Sequence, residues 1–223
     1  MMDILGDEAS SPIFGTDGKL LGTDENGLKG KPIVMDKADF VQGMSFKDAS
    51  AKNKGEKGLK DATAKKDFRE TYDGLSRRPD YDGYINKAEA DAWWQKGTGE
   101  ALFVDASKIK LTDITVQSFD KGVGSTITPN FIFKTKNWKR TDTGETYGKL
   151  DIKLLSSDGI VKIGYQHTAN TAKLGLYLDY YDFEYQSGLS NLGRNIATQW
   201  GKPDGDGKNF IFHSYGTAKI PIK

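Results

Sequence analysis

The alternation of apolar and polar positions changes character along the chain. Near the start, Ile13-Phe14 and Leu20-Leu21 flank Asp17-Gly18, a pattern that predicts strand, tight turn, strand. Lys31-Pro32-Ile33-Val34-Met35 predicts another short extended piece. Between 45 and 75 the spacing becomes helical, with Leu59, Ala62, Phe68, Tyr72 and Leu75 as an apolar stripe among many lysines. These lysines are most simply a solvated face, because no aromatic platform of matching period accompanies them. A second helix is expected from about Asn86, carrying Trp93 and Trp94.

Beyond Gly97-Thr98-Gly99 the pattern turns to beta. Ile109, Leu111, Ile114 and Val116 predict a strand region, and Phe131-Ile132-Phe133 predicts a second. Leu150, Ile152 and Leu154 alternate with Lys149, Asp151 and Lys153, the clearest one-sided strand in the chain. Val161-Lys162-Ile163 follows an Asp158-Gly159 turn. Leu174, Leu176 and Leu178 predict a strand that runs into Asp179-Tyr180-Tyr181-Asp182. Leu189, Leu192, Ile196 and Trp200 then recur at helical spacing. Phe210–Tyr215 and Ala218–Ile222 predict a closing hairpin around Gly216. About six or seven strands at hairpin spacing describe an antiparallel β-sheet or half-barrel. The expected fold class is therefore α+β: a mostly helical region over 1–98 and an antiparallel β domain with one short helix over 99–223.

Composition narrows the function classes. The 223 residues make one large domain or two small ones. A formal charge of +1, from 28% charged residues of mixed sign, gives no overall drive toward nucleic acid or acidic membranes. With no cysteine, disulfides and thiolate metal sites are excluded. No apolar run reaches transmembrane length and no signal-peptide pattern opens the chain, so any export is expected to depend on something else. The doubled Met1-Met2 reads as a start codon added to an excised fragment. No Walker loop, dinucleotide fingerprint, His-Glu-x-x-His helix or Ser-His-Asp order is present.

Two stretches carry candidate chemistry. The first is Asp179 to Tyr185, where acids and phenols gather at a strand end. In an unbroken strand Asp182 would fall on the leucine face, where a bare carboxylate is costly. Either the strand breaks near Tyr180, or Asp182 has a partner such as an arginine, a lysine or a metal. Arg194 lies off the apolar stripe of the following helix, placed to hold a carboxylate or phosphate in bidentate fashion. One reading is an aromatic-rich strand with a structural ion pair. The other is a phosphate-ester or pyrophosphate site, in which the acids bind a divalent cation or act as general base and Arg194 stabilises the phosphate charge.

The second stretch, Arg78 to Glu89, resembles an EF-hand loop. Gly83 takes the sharp-turn position and Ile85 the short-strand position, while Asp80, Asp82 and Glu89 fall at ligand positions three, five and twelve. The resemblance implies a structural Ca²⁺, but position one is Arg78 where an aspartate is expected. The alternative is an Asp-Gly turn followed by a helix cap.

The run Ile13 to Phe40, continued by Tyr81-Asp82-Gly83-Tyr84-Ile85 and Glu89-Ala90-Asp91-Ala92-Trp93-Trp94, resembles the segment after the conserved core in Rhs (YD-repeat) polymorphic toxins of Bacteroidetes. The resemblance covers roughly the first hundred residues and lacks the Rhs core itself. It implies the variable toxin tip of an antibacterial effector, delivered into target cells and paired with a cognate immunity protein. Asp179, Tyr181, Asp182 and Arg194, with the strands running to Ile222, resemble the Asp-x-Tyr-Asp signature and following arginine of the colicin M family. That likeness implies Mg²⁺-dependent cleavage of lipid II, the lipid-linked cell-wall precursor, between lipid and pyrophosphate, with action in the periplasm. The sequence departs from that family in the longer spacing to Arg194 and in lacking a histidine beside it. His213 is a candidate for the missing imidazole or else a sheet-face histidine, and His167 lies in a polar loop. The competing class is a non-enzymatic toxin or binding domain that acts on a membrane or protein partner through its aromatic surface.

Overall fold

The computed structural model describes residues 10–109, 111, 113–133, 138–140, 148–149, 151–164, 177–181 and 202–223. Within them the fold is α+β, with antiparallel and mixed sheets.

The first hairpin forms where the Asp-Gly pair predicts it. β1 (Pro12–Gly15) and β2 (Leu20–Thr23) are antiparallel. β3 (Ile33–Met35) adds to β1 in parallel, giving the order β2-β1-β3. β1 is covered on both sides. Ile13 packs with Ile33, Met35 and Ala49, the last from α1 (Phe46–Ala51). Phe14 packs instead with Phe68 of α2 (Ala62–Gly74), ring centroids 4.8 Å apart and edge-on. Burying one such ring contributes about 1.5–3 kcal/mol.

Among the described residues each α-helix starts on a side-chain cap. The Ser45 side chain accepts from the Asp48 N–H and starts α1; the Asp61 side chain accepts from the Ala64 N–H and starts α2. Of the expected stripe, Leu59, Phe68 and Leu75 are buried with Tyr72 packed against them, while Ala64 is buried and Ala62 is exposed. Asp61 as N-cap fixes this phase, because it makes Ala62 the first helical residue. α3 (Lys87–Lys96) opens on a capping box between Asn86 and Glu89 and closes on Gly97 in the left-handed conformation.

The strand after α3 lies upstream of the expected position. β4 is Leu102–Asp105, whereas Ile109, Leu111 and Ile114 are buried in irregular chain and Val116 opens a single 3-10 turn. Asp113 has φ 73°, a left-handed conformation that interrupts any extended run. Leu102-Phe103-Val104 lacks alternation because all three are buried, so period-two reading passes over it.

The remaining strands are β5 (Thr126–Ile127), β6 (Asn130–Phe133), β7 (Trp138–Arg140), β8 (Gly148–Lys149), β9 (Ile152–Leu154), β10 (Ile160–Ile163), β11 (Tyr177–Tyr181), β12 (Phe210–Tyr215) and β13 (Ala218–Lys219). They form sheets of order β13-β10-β9-β5, β11-β12-β4 and β7-β6-β8. In β9, Ile152 and Leu154 are buried and Lys153 is not, as the alternation predicts; Leu150 lies outside the described residues.

The closing hairpin is not formed. β12 is flanked by β11, antiparallel, and by β4, parallel, so neither edge is free for β13. After Gly216 the chain crosses instead to β10, pairing Val161 with Ala218.

The largest apolar cluster joins Ile85, Trp93 and Trp94 to Leu102, Ile152, Val161, Phe210 and Phe212. A second joins Phe14 and Phe68 to Phe103 and Tyr215. The core thus runs across the Gly97–Gly99 segment.

Candidate functional site

β11 (Tyr177–Tyr181) carries two residues of the first sequence-derived site, Asp179 and Tyr181, on the outer strand of the β11-β12-β4 order. A register shift between Tyr177 and Asp179 sets Tyr177 opposite His213, Asp179 opposite Phe212 and Tyr181 opposite Phe210. Asp182, Arg194, His167 and the expected helix over 189–200 lie outside the described residues. His213 is half-buried in β12 and stacks on Phe103 of β4, centroids 5.7 Å apart. Its register partner is Tyr177, two positions from Asp179.

The second site, the 78–89 loop, is fully described. Arg78 occupies the departure from the EF-hand pattern, and its guanidinium lies on Asp80. Nε donates to Oδ1 at 3.0 Å and Nη2 to Oδ2 at 3.1 Å. Nη2 also donates to the Ala101 carbonyl at 2.7 Å, and Nη1 to Glu100 at 3.3 Å. The Phe103 N–H donates to Asp80 Oδ2 at 2.8 Å, tying the loop to β4. Both partners are sunk in the protein, Asp80 at 0% exposure and the Arg78 side chain at 8%. The guanidinium carbon lies 4.7 Å from the Trp93 ring centroid, adding a cation–π contact. This is a bidentate, charge-assisted pair with further guanidinium hydrogen bonds to Ala101 and Glu100, the kind of surroundings in which a buried ion pair is tolerated.

The other two carboxylates do local work. Asp82 accepts from the Tyr84 N–H at 2.9 Å, an Asx turn, while its backbone carbonyl accepts from Lys108 Nζ. Glu89 accepts from the Asn86 N–H at 2.8 Å within the capping box. Among the described residues no group of His, Asp or Glu is arranged to hold a metal ion. A cation seated in this loop would have to take Asp80 from Arg78 and Glu89 from the Asn86 N–H.

Two further features are absent from the sequence-derived set. Tyr215 sits where two turns meet: a Cβ on Gly83 would lie 2.2 Å from its hydroxyl, and one on Gly27 2.6 Å from its ring. Both glycines have positive φ, so glycine serves there for backbone conformation and for space. Burial, then Asp105, Asp80, Asp82 and Asp24 in turn, push the Tyr215 phenol far above its usual range, so it stays protonated. Asp24, at the start of the Gly27 turn, is fully buried. The signal for it was the Asp24-Glu25-Asn26-Gly27 turn sequence, which shows the turn but not its depth.

No family model, no curated protein and no solved structure matches this chain. No helix among the described residues is long and apolar enough to cross a membrane.

Proposed function

We propose that the chain is the toxin tip of an Rhs-type antibacterial effector, with its reactive groups at the end of β11. The observation that supports this reading is that β11 (Tyr177–Tyr181), which carries Asp179 and Tyr181, pairs with β12 at one side of the β11-β12-β4 sheet. Asp182 follows Tyr181 directly in sequence.

The substrate class proposed is a lipid-linked pyrophosphate, the lipid II precursor of the cell wall. Asp182 or Asp179 takes the proton of an attacking water. Tyr181 orients that acid by hydrogen bond, and Arg194 pairs with the pyrophosphate oxygens. One water is consumed as the bond between the lipid oxygen and the pyrophosphate breaks, leaving a lipid alcohol and a pyrophosphoryl sugar. Asp179 and Asp182 offer the hard oxygen donors that magnesium takes, and a bound Mg²⁺ would supply charge neutralisation at the pyrophosphate. A cognate immunity protein that shields this strand end completes the proposal.

The test directs the chain to the cytoplasm or to the periplasm of a test bacterium, with Asp182→Ala and Arg194→Ala as controls. Lysis from the periplasm alone, lost in both variants, supports the reading. Toxicity from the cytoplasm, or toxicity indifferent to both changes, overturns it and favours a non-enzymatic domain acting through its aromatic surface.

A further inference from the structure

A glycine that follows an aspartate or asparagine has no Cβ to shield its amide nitrogen, which can then attack the side-chain carbonyl carbon of the preceding residue. Seven such pairs occur: Asp17-Gly18, Asn26-Gly27, Asp73-Gly74, Asp82-Gly83, Asp158-Gly159, Asp204-Gly205 and Asp206-Gly207. In an unfolded chain Asn26-Gly27 reacts first, since a neutral amide is a better electrophile than a carboxylate. The fold changes that order.

The first five pairs are held by the backbone. The Gly18 N–H donates to the Gly15 carbonyl at 2.9 Å, that of Gly83 to Asp80 at 2.9 Å and that of Gly159 to Ser156 at 3.2 Å. The Gly27 N–H donates to Asp24 Oδ1 at 3.2 Å. Gly74 is the last residue of α2 and has a helical φ of −84°. Packing closes in on four of these glycines as well. A Cβ would run into the Ala64 carbonyl at Gly18, into Tyr215 at Gly27 and Gly83, and into the Ile220 carbonyl at Gly159. Their peptide planes cannot swing toward the preceding side chain without displacing a neighbour.

The 202–209 loop is different. Asp204, Gly205 and Asp206 are exposed, and Gly205 is the one exposed glycine of the seven pairs. Its φ is 98°, and nothing lies within 4 Å of a Cβ built on it. Among the described residues its N–H meets no acceptor. Gly207 is tighter, because a Cβ there would enter the Trp94 ring. The far side of the loop is fixed to α3: the Lys208 N–H donates to the Trp94 carbonyl at 3.0 Å, and Trp94 Nε1 donates to Asn209 Oδ1 at 3.1 Å. The peptide between Asp204 and Gly205 has a single tie among the described residues. Gln95 Nε2 donates to the Asp204 carbonyl at 2.9 Å, from an exposed side chain for which water competes.

We propose that Asp204 is a site of spontaneous modification, at which the folded chain forms isoaspartate ahead of the other six pairs. The Gly205 nitrogen bonds to Asp204 Cγ and gives up its proton. Cγ loses its hydroxyl, the two leave as water, and a succinimide ring closes. A second water opens the ring at the former main-chain carbonyl carbon and breaks that carbon's bond to the Gly205 nitrogen. One water is released and one consumed, and nothing is oxidised or reduced. The main chain then runs through Cβ and Cγ, longer by a methylene. A free carboxylate stands where Gln95 held a carbonyl, so the loop is loosened from α3. Gln95 is the brake on this step, because its bond fixes the peptide plane that must turn before the nitrogen reaches Cγ.

The test ages the full chain at neutral pH, folded and in guanidinium chloride, and maps isoaspartate by proteolysis and mass spectrometry. Isoaspartate is expected first at Asp204 in the folded chain and first at Asn26 in denaturant. Gln95→Ala is expected to speed the reaction at Asp204 severalfold in the folded chain and to leave it unchanged in denaturant. Three results would overturn the proposal: a folded chain that reacts first at another pair, one that stays unmodified while the denatured chain reacts, or a rate at Asp204 indifferent to Gln95→Ala.

Discussion

Asp24 and Asp80 are both wholly buried, both lie in turns ending in glycine, and both stand near Tyr215. They differ in what neutralises them. Asp80 meets a guanidinium that bonds both its oxygens; among the described residues Asp24 meets peptide N–H groups and no cation. A buried carboxylate with a cation becomes a fixed strut, tying the 78–89 loop to β4. One without a cation is left sensitive to the proton. The two turns look alike in sequence, and the arginine two residues before Asp80 is what sets them apart.

The largest expected effect comes from removing the cation. Arg78→Ala leaves Asp80 buried and unpaired and is expected to cost about 3–5 kcal/mol in denaturant unfolding. A double change of Arg78 and Asp80 to methionine should recover most of that loss, since well-packed apolar groups often replace a buried pair at little cost. If the single change costs under about 1 kcal/mol, the pair is no strut.

Next in size is the pH response of Asp24. Between the ordinary value of 3.8 and about 6 the folded chain binds the extra proton, so its contribution to stability falls as pH rises through that window. Midpoints of urea unfolding across the window, compared between wild type and Asp24→Asn, should diverge toward acid. Arg78→Ala should shift stability without reproducing that divergence.

A surface cap sets the lower scale. Asn86→Ala removes one side of the capping box of α3 and is expected to cost about 1 kcal/mol, read by thermal unfolding. The smallest effect is expected from calcium. With Arg78 on Asp80 and the Asn86 N–H on Glu89, millimolar CaCl₂ should leave the melting temperature of wild type unchanged. A rise that disappears in Asp82→Asn would show Asp80, Asp82 and Glu89 acting as ligands after all.

Much of the local structure was legible because local rules set it. Asp17-Gly18 marked the first hairpin, Asn86 marked the start of α3, and the leucine–lysine alternation marked β9. The non-local pairings were not. Nothing in Phe210–Tyr215 announces that β11 and β4 occupy both its edges, which sends β13 to β10 instead of into a hairpin. β4 was missed because a strand buried on both faces has no alternation to read. Arg78 stands out in the sequence as a misfit in a calcium loop, yet its partner Ala101 and the Phe103 N–H on Asp80 come from beyond α3. Asp24 shows the same limit: the turn is written in its sequence, but Tyr215, which packs on Gly27 of that turn, comes from β12, far along the chain. For the strand-end site, the sequence supplied the residue types, and β11 adds where Asp179 and Tyr181 stand.

The most direct measurement of the proposed chemistry is hydrolysis of purified lipid II by the full chain with Mg²⁺, resolved by mass spectrometry. Release of the lipid alcohol and the pyrophosphoryl sugar is expected from wild type and is expected to be lost in Asp182→Ala and Arg194→Ala, both still folded. Intact lipid II after incubation with a chain that kills from the periplasm, or turnover that persists in both variants, would contradict a strand-end pyrophosphate hydrolase.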